Sequence, residues 1–133
     1  MVTKSIIQKM KQDTTLVSLV GSASLMFAEH GQGDKTLVVK ENGKTRIDEI
    51  APIKTSRIQI IVSGWDIETG EAISKRALAV LEGLMGQTLV VAGVSQYLVK
   101  TIVVDSEPTL IEWKDANYFS ANTRVSYAET STT

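Results

Sequence analysis

The chain has 133 residues, 43% of them hydrophobic, a formal net charge of −1 and no cysteine. That length suits a single domain, residues 1–133, around one core, and the apolar content argues against global disorder. The charge excludes nucleic-acid or membrane binding driven by a bulk positive field, and the missing cysteines exclude disulfides and thiolate metal sites. The first residues, Met1-Val2-Thr3-Lys4-Ser5-Ile6-Ile7-Gln8-Lys9, lack the long apolar stretch of a signal peptide, and no apolar run approaches membrane-spanning length. The expectation is a soluble chain made in a reducing cytoplasm, with no membrane partner.

Thr3 to Gln12 reads as a short amphipathic helix. Val2, Ile6 and Met10 share a face and Lys4 and Lys11 point away. Asp13-Thr14-Thr15 is a break and a fresh cap, Leu16, Leu19 and Val20 make another helical turn, and Gly21 can end it. Leu25 to Ala28 is a short strand, His30 to Asp34 a loop, and Leu37 to Val39 a second strand. Glu41 to Thr55 follows no period. It mixes Gly43 and Pro52 with charged and amide side chains and spaced Ile47, Ile50 and Ile53, and it reads as a long flexible loop or hairpin.

Arg57 to Trp65 is a strand whose Ile58, Ile60 and Val62 fall on one side. A helix follows almost at once, capped by Asp66 or Thr69, with Glu68 and Glu71 in its first turn. Ile73, Ala77, Val80, Leu81 and Leu84 form its apolar stripe, and Gly86 is the favoured exit. Leu78 and Met85 fall on the flank of that stripe, where they either broaden the core or form a partner surface, and at least one of them is assigned to a subunit boundary. Thr88 to Val91 is a short strand. Tyr97 to Val104 is apolar on both faces, as in a central strand. Leu110 to Trp113 is another strand. In Tyr118 to Tyr127, Phe119, Ala121, Val125 and Tyr127 alternate with Ser120, Asn122, Arg124 and Ser126, so one face is wet. Glu129 to Thr133 is a polar, disordered tail. The expected order is α-β-β-loop-β-α-β-β-β: an α+β fold with two helices packed on a mainly antiparallel mixed sheet.

Little of this points to chemistry. His30 is the single histidine, beside Gly31 in a loop, and reads as solvated rather than as part of a triad. Gly31-Gln32-Gly33-Asp34-Lys35-Thr36 lacks the spacing of a phosphate loop and leads into a strand rather than a helix. Asp105, Glu107, Glu112 and Asp115 form an acidic stretch relieved by Lys114, and read as solvated loop charges before paired acid and base. Trp65 and Trp113 read as core or interface. No catalytic, cofactor or metal residue is assigned, and no enzyme is expected.

The whole pattern resembles the tail-terminator proteins of long-tailed bacteriophages, also called tail-completion or tail-to-head joining proteins. The likeness runs from about Ile6 to Tyr127. It rests on the opening helix with Asp13-Thr14-Thr15-Leu16-Val17-Ser18-Leu19-Val20-Gly21, the short strands to Val39 and the long polar segment. It continues through Arg57 to Trp65, the helix Ala72 to Leu84 and the closing Asn117 to Tyr127. Such chains often carry a proline before the second strand, where this one has Thr36. The resemblance implies a virion structural protein at the head-proximal end of the tail. It would form a ring, usually of six copies, that stops tube growth and meets the tail tube protein and the head connector proteins. DNA would pass through without sequence-specific binding. Lys44, Arg46, Ile47, Ile50, Ile53, Lys54, Leu78 and Met85 are the subunit or tube contacts expected on that basis, and Asp105, Glu107, Glu112 and Asp115 the lumen-facing residues. The alternative is a small-molecule-binding or regulatory α+β module without catalysis.

Overall fold

Three helices and six strands follow the periodicities of the chain in a computed structural model that describes residues 2–46, 53–91, 95–113 and 116–131. Within these, side chains are described at all but residues 44–46, 91, 95, 113, 116, 130 and 131. The order is α1 (Val2–Lys11), α2 (Thr14–Val20), a 3-10 turn (Ala23–Leu25), β1 (Met26–Ala28), β2 (Thr36–Arg46), β3 (Ile53–Ser63), α3 (Ile67–Glu82), β4 (Thr88–Val91), β5 (Ser95–Trp113) and β6 (Ala116–Ser131). The expected α+β class and mainly antiparallel mixed sheet hold. The expected two helices are corrected to three, because Asp13 and Gly21 make Thr14–Val20 a helix of its own rather than an added turn.

The six strands form one sheet in the order β1-β2-β3-β6-β5-β4, with β1 parallel to β2 and every other pair antiparallel. α1 packs against both edge strands, β1 and β4, so the sheet curls around it. α3 lies across β3, β6 and β5. The core fills the concave side: Leu37, Val39, Ile58, Ile60, Val62, Leu89, Tyr97, Val99, Phe119, Ala121, Val125 and Tyr127 from the sheet meet Ile6, Met10, Ile73, Ala77 and Leu81 from the helices. Tyr97 and Tyr127 meet edge to face, ring centres 5.5 Å apart, a favoured aromatic geometry.

Close approach of α3 to the sheet depends on small residues. Its buried stripe is Gly70, Ile73, Ser74, Ala77, Leu78 and Leu81, spaced at three and four. A Cβ at Gly70 would sit 3.0 Å from the Phe119 ring. Leu78 belongs to this stripe and is 3% exposed, which corrects its assignment to a partner surface. The stripe is rotated toward Leu78 because the polar-looking Gly70 and Ser74 face the sheet; the Ser74 hydroxyl is satisfied by the Gly70 carbonyl at 2.7 Å. Asp66 holds the N-cap position of α3 without a side-chain capping bond, and α3 ends at Gly83 in a right-handed conformation. Gly86, the expected exit, takes the left-handed one (φ 81) slightly later and bonds the Val99 carbonyl.

Three further expectations are corrected. Of the segment 41–55, residues 41–46 and 53–55 are strand rather than loop: β2 runs to Arg46 and β3 begins at Ile53, paired antiparallel as far as Arg46 with Lys54, as in the hairpin alternative, and residues 47–52 lie outside the described residues. β5 is one long strand rather than two and is not buried on both faces, since Leu98 and Val103 are exposed. The ladder shifts register at Lys100, so Tyr97 and Val99 before it and Ile102 and Val104 after it all face the core. The apolar residues on both sides of the sequence pattern record that change of phase. Finally, the expected tail is paired through Ser131, with Glu129 opposite Tyr97 and Ser131 opposite Ser95.

Candidate functional site

The registers put the expected contact residues at two ends of the sheet. Lys54, Tyr127 and Val99 stand in one cross-strand row, and Ser63, Tyr118 and Ile111 in another near the opposite end. The described parts of β2 and β3 meet at the first end, at Arg46 and Lys54. There Lys44 and Arg46 are strand residues paired with Ser56 and Lys54, Ile53 is half-buried, and the Lys54 ammonium reaches Glu129 at 3.0 Å. Ile47 and Ile50 lie outside the described residues. Glu107 and Glu112 are exposed on β5 toward the other end, and Asp115 lies outside the described residues. Met85 is 52% exposed in the turn after α3. Asp105 is no isolated acid: Arg124 Nε donates to both its oxygens at 3.0 Å.

Asp105 belongs to a constellation on the convex face. Arg57 of β3 and Arg124 of β6 are direct cross-strand partners, and both are exposed. Their neighbours in the row are Gly43 and Val103. The ladder slips on both sides of this pair. On β2 the shift between Glu41 and Gly43 leaves Asn42 as the extra residue; on β5 the shift between Val104 and Ser106 leaves Asp105. Bulges re-aim side chains, and here the two bulged residues line one open depression of about 470 Å³ together with Arg57, Asn122, Thr123 and Arg124. Cross-strand bonds tie its floor: Asn42 Nδ2 donates to Gln59 at 2.7 Å, Gln59 Nε2 to Ser120 at 2.8 Å, and Asn122 Nδ2 to Ser106 at 3.1 Å. Arg57 forms no ion pair among the described residues.

A second polar group lies on the concave side, past the core. The buried Ser56 hydroxyl is 3.0 Å from Glu41 Oε2 and 3.0 Å from the Tyr127 hydroxyl. Burial pushes the Tyr127 phenol above its ordinary value; the Ser56 bond and Lys54 oppose the shift, while Glu41 and Glu129 add to it. Beside this group Glu29 takes a left-handed conformation (φ 72), its Oε1 accepting from Thr3 at 2.9 Å and from the Glu41 amide at 3.2 Å. These bonds hold a backbone geometry unusual for a non-glycine residue.

A groove of about 350 Å³ separates α3 from the α1–α2 corner, lined by Lys9, Asp13, Arg76, Val80 and Gln87 among others. Arg76 and Asp13 form an ion pair in it, and Lys9 has no ion pair among the described residues. Among the described residues no group of three or more His, Asp or Glu side chains is placed to hold a metal ion, and His30 is exposed in its loop.

The arginine pair escaped the sequence reading. Arg57 and Arg124 are far apart in the chain and each is an ordinary wet-face residue of an alternating strand. Only the β3–β6 register brings them together. No protein-family model matches the chain, and a search of curated proteins found no match.

Proposed function

We propose that the chain is a virion structural protein of the tail-terminator kind, a ring-former that caps a tail tube and meets the head connector. The observation that carries this reading is a sheet with two long unpaired strand edges. β1 covers β2 only from Leu37 to Val39, and β4 covers β5 only from Ser95 to Leu98. Beyond those residues the outer edges of β2 and β5 have no strand partner among the described residues. Open edges invite pairing with another chain, and two different edges on one subunit suit a head-to-tail contact that closes by rotation. The end of the β2–β3 pair, with Lys44, Arg46, Ile53 and Lys54, then serves a neighbouring subunit or the tube. The likeness in pattern from about Ile6 to Tyr127 supports the same reading.

Tails assembled without this protein test it. The expected result is tails of abnormal length or tails without heads. Normal-length, head-bearing tails in its absence would sink the proposal.

A second reading, a small-molecule-binding module, is favoured by one observation: the convex depression with its two arginines. A mass measurement on the free protein and on the protein mixed with tail tubes separates the two, since only a ring-former gains mass as closed multiples.

A further inference from the structure

We infer that the depression between Arg57 and Arg124 binds a phosphate-type oxyanion. Like charges directly opposite on an antiparallel pair repel, and nothing in the core requires either arginine, since both stand on the exposed face. The chain relieves only half of the repulsion. Asp105 pairs with Arg124 through Nε alone, which leaves the terminal amino groups out of that pair, and Arg57 has no carboxylate partner among the described residues. Two arginines and one aspartate leave a charge of +1 in the depression. Gly43, next to Arg57 in the row, adds no side chain, and a Cβ there would meet nothing within 4 Å, so the approach to Arg57 is open.

The geometry favours phosphate over a carboxylate. A carboxylate holds its two oxygens in one plane and is matched by the fork of one guanidinium. A phosphate turns its oxygens in different directions and can take one bond from each of two guanidiniums rooted on adjacent strands, about 5 Å apart at Cβ. The site already contains a carboxylate of its own, so a second would duplicate Asp105. The two bulges give the site its form: without them Asn42 and Asp105 would take up regular ladder positions rather than flank the arginine row. The phosphate could be free inorganic phosphate or the phosphodiester of a nucleic acid; the chemistry of recognition is shared. The inference does not depend on ring formation.

The test is a titration of inorganic phosphate at ionic strength held constant with sodium chloride, read at the backbone amides of Gly43, Arg57, Asn122 and Arg124 by NMR. The wild-type protein is expected to show saturable shifts confined to this face. Arg57→Ser and Arg57→Gln are each expected to lower the affinity about tenfold or more, as loss of a charge-assisted bond does. In phosphate-free buffer both variants should melt no lower than wild type, since each removes a like-charge contact. A short DNA duplex that displaces phosphate from the same amides assigns the site to a phosphodiester; one that leaves them unmoved assigns it to free phosphate. The inference is overturned by an absence of saturable shifts, by equal phosphate affinity in wild type and both variants, or by acetate saturating the same amides as tightly as phosphate.

Discussion

Arg76 of α3 grips the Asp13 carboxylate with two nitrogens, Nε at 3.1 Å and Nη2 at 2.7 Å. The same carboxylate caps α2, its Oδ1 accepting from the Leu16 amide at 2.8 Å. One side chain therefore starts a helix and fastens it to another. The Arg76 hydrogen bonds, and then the Leu16 amide, hold the Asp13 carboxyl below its ordinary value. A lowered folded value means the contribution is present above the unfolded value, near 4, and is lost as pH falls through the folded one. Stability should decline on acidification in that window. Asp13→Asn, which can still cap, should flatten the decline; Asp13→Ala should cost about 1 kcal/mol more through the lost cap. Urea melts at a series of pH values check both.

Tyr127 acts at the opposite end of the scale. Its phenol is raised, by burial first, so its contribution is present below the unfolded value near 10 and is lost as pH rises through the folded value. Alkaline melting curves should show this loss in the wild type and not in Tyr127→Phe. The substitution itself should cost about 1 kcal/mol at neutral pH, since Ser56 keeps its bond to Glu41.

Leu78 and Met85 separate cleanly. Leu78→Ala should destabilise by about 2–5 kcal/mol, the range for a buried leucine, because Leu78 is 3% exposed. Met85→Ala should change stability by about 0.5 kcal/mol or less, as surface substitutions do. Chemical denaturation of the two variants distinguishes them. A defect in assembly with unchanged stability is expected only at Met85.

Gly64 and Gly43 make a similar contrast. Gly64 has φ 99, and its missing Cβ would collide with the Asp34 carbonyl oxygen and fall 2.7 Å from Lys35 Cα. Gly64→Ala requires both a disfavoured conformation and a shift of the 34–35 backbone, and should cost at least about 2 kcal/mol. Gly43→Ala meets no atom within 4 Å and should stay within about 0.5 kcal/mol of wild type. Thermal melts of the pair are the measurement.

Much of the fold was legible because its signals are local. Asp13 caps α2 and Gly21 ends it in a left-handed conformation, each within one turn of the residues it serves. The alternation in Tyr118 to Tyr127 named the buried Phe119, Ala121, Val125 and Tyr127, because β6 runs through that stretch with no break against β3; Ser120, read as wet, is instead buried, accepting a hydrogen bond from Gln59 across the strands. The opening helix buries Val2, Ile6 and Met10, as its spacing requires.

The rest was decided by tertiary structure. The stripe of α3 includes Leu78 because Gly70 lets the helix sit against Phe119, and no pattern of hydrophobicity within the helix reports which small residue meets a sheet. The two apolar sides of β5 became one when the ladder slipped at Lys100, and a slip is a property of two strands rather than of either. Residues 41–46 and 53–55 looked like loop because they are largely polar, yet backbone pairing from Glu41 with Ile58 to Arg46 with Lys54 makes them strand. The meeting of Arg57 with Arg124, flanked by Asn42 and Asp105, depends on three registers at once. Local sequence determines where the chain turns and which face of each element is apolar. Long-range pairing determines which polar residues share a surface, because hydrogen bonds between strands are indifferent to the side chains they bring together.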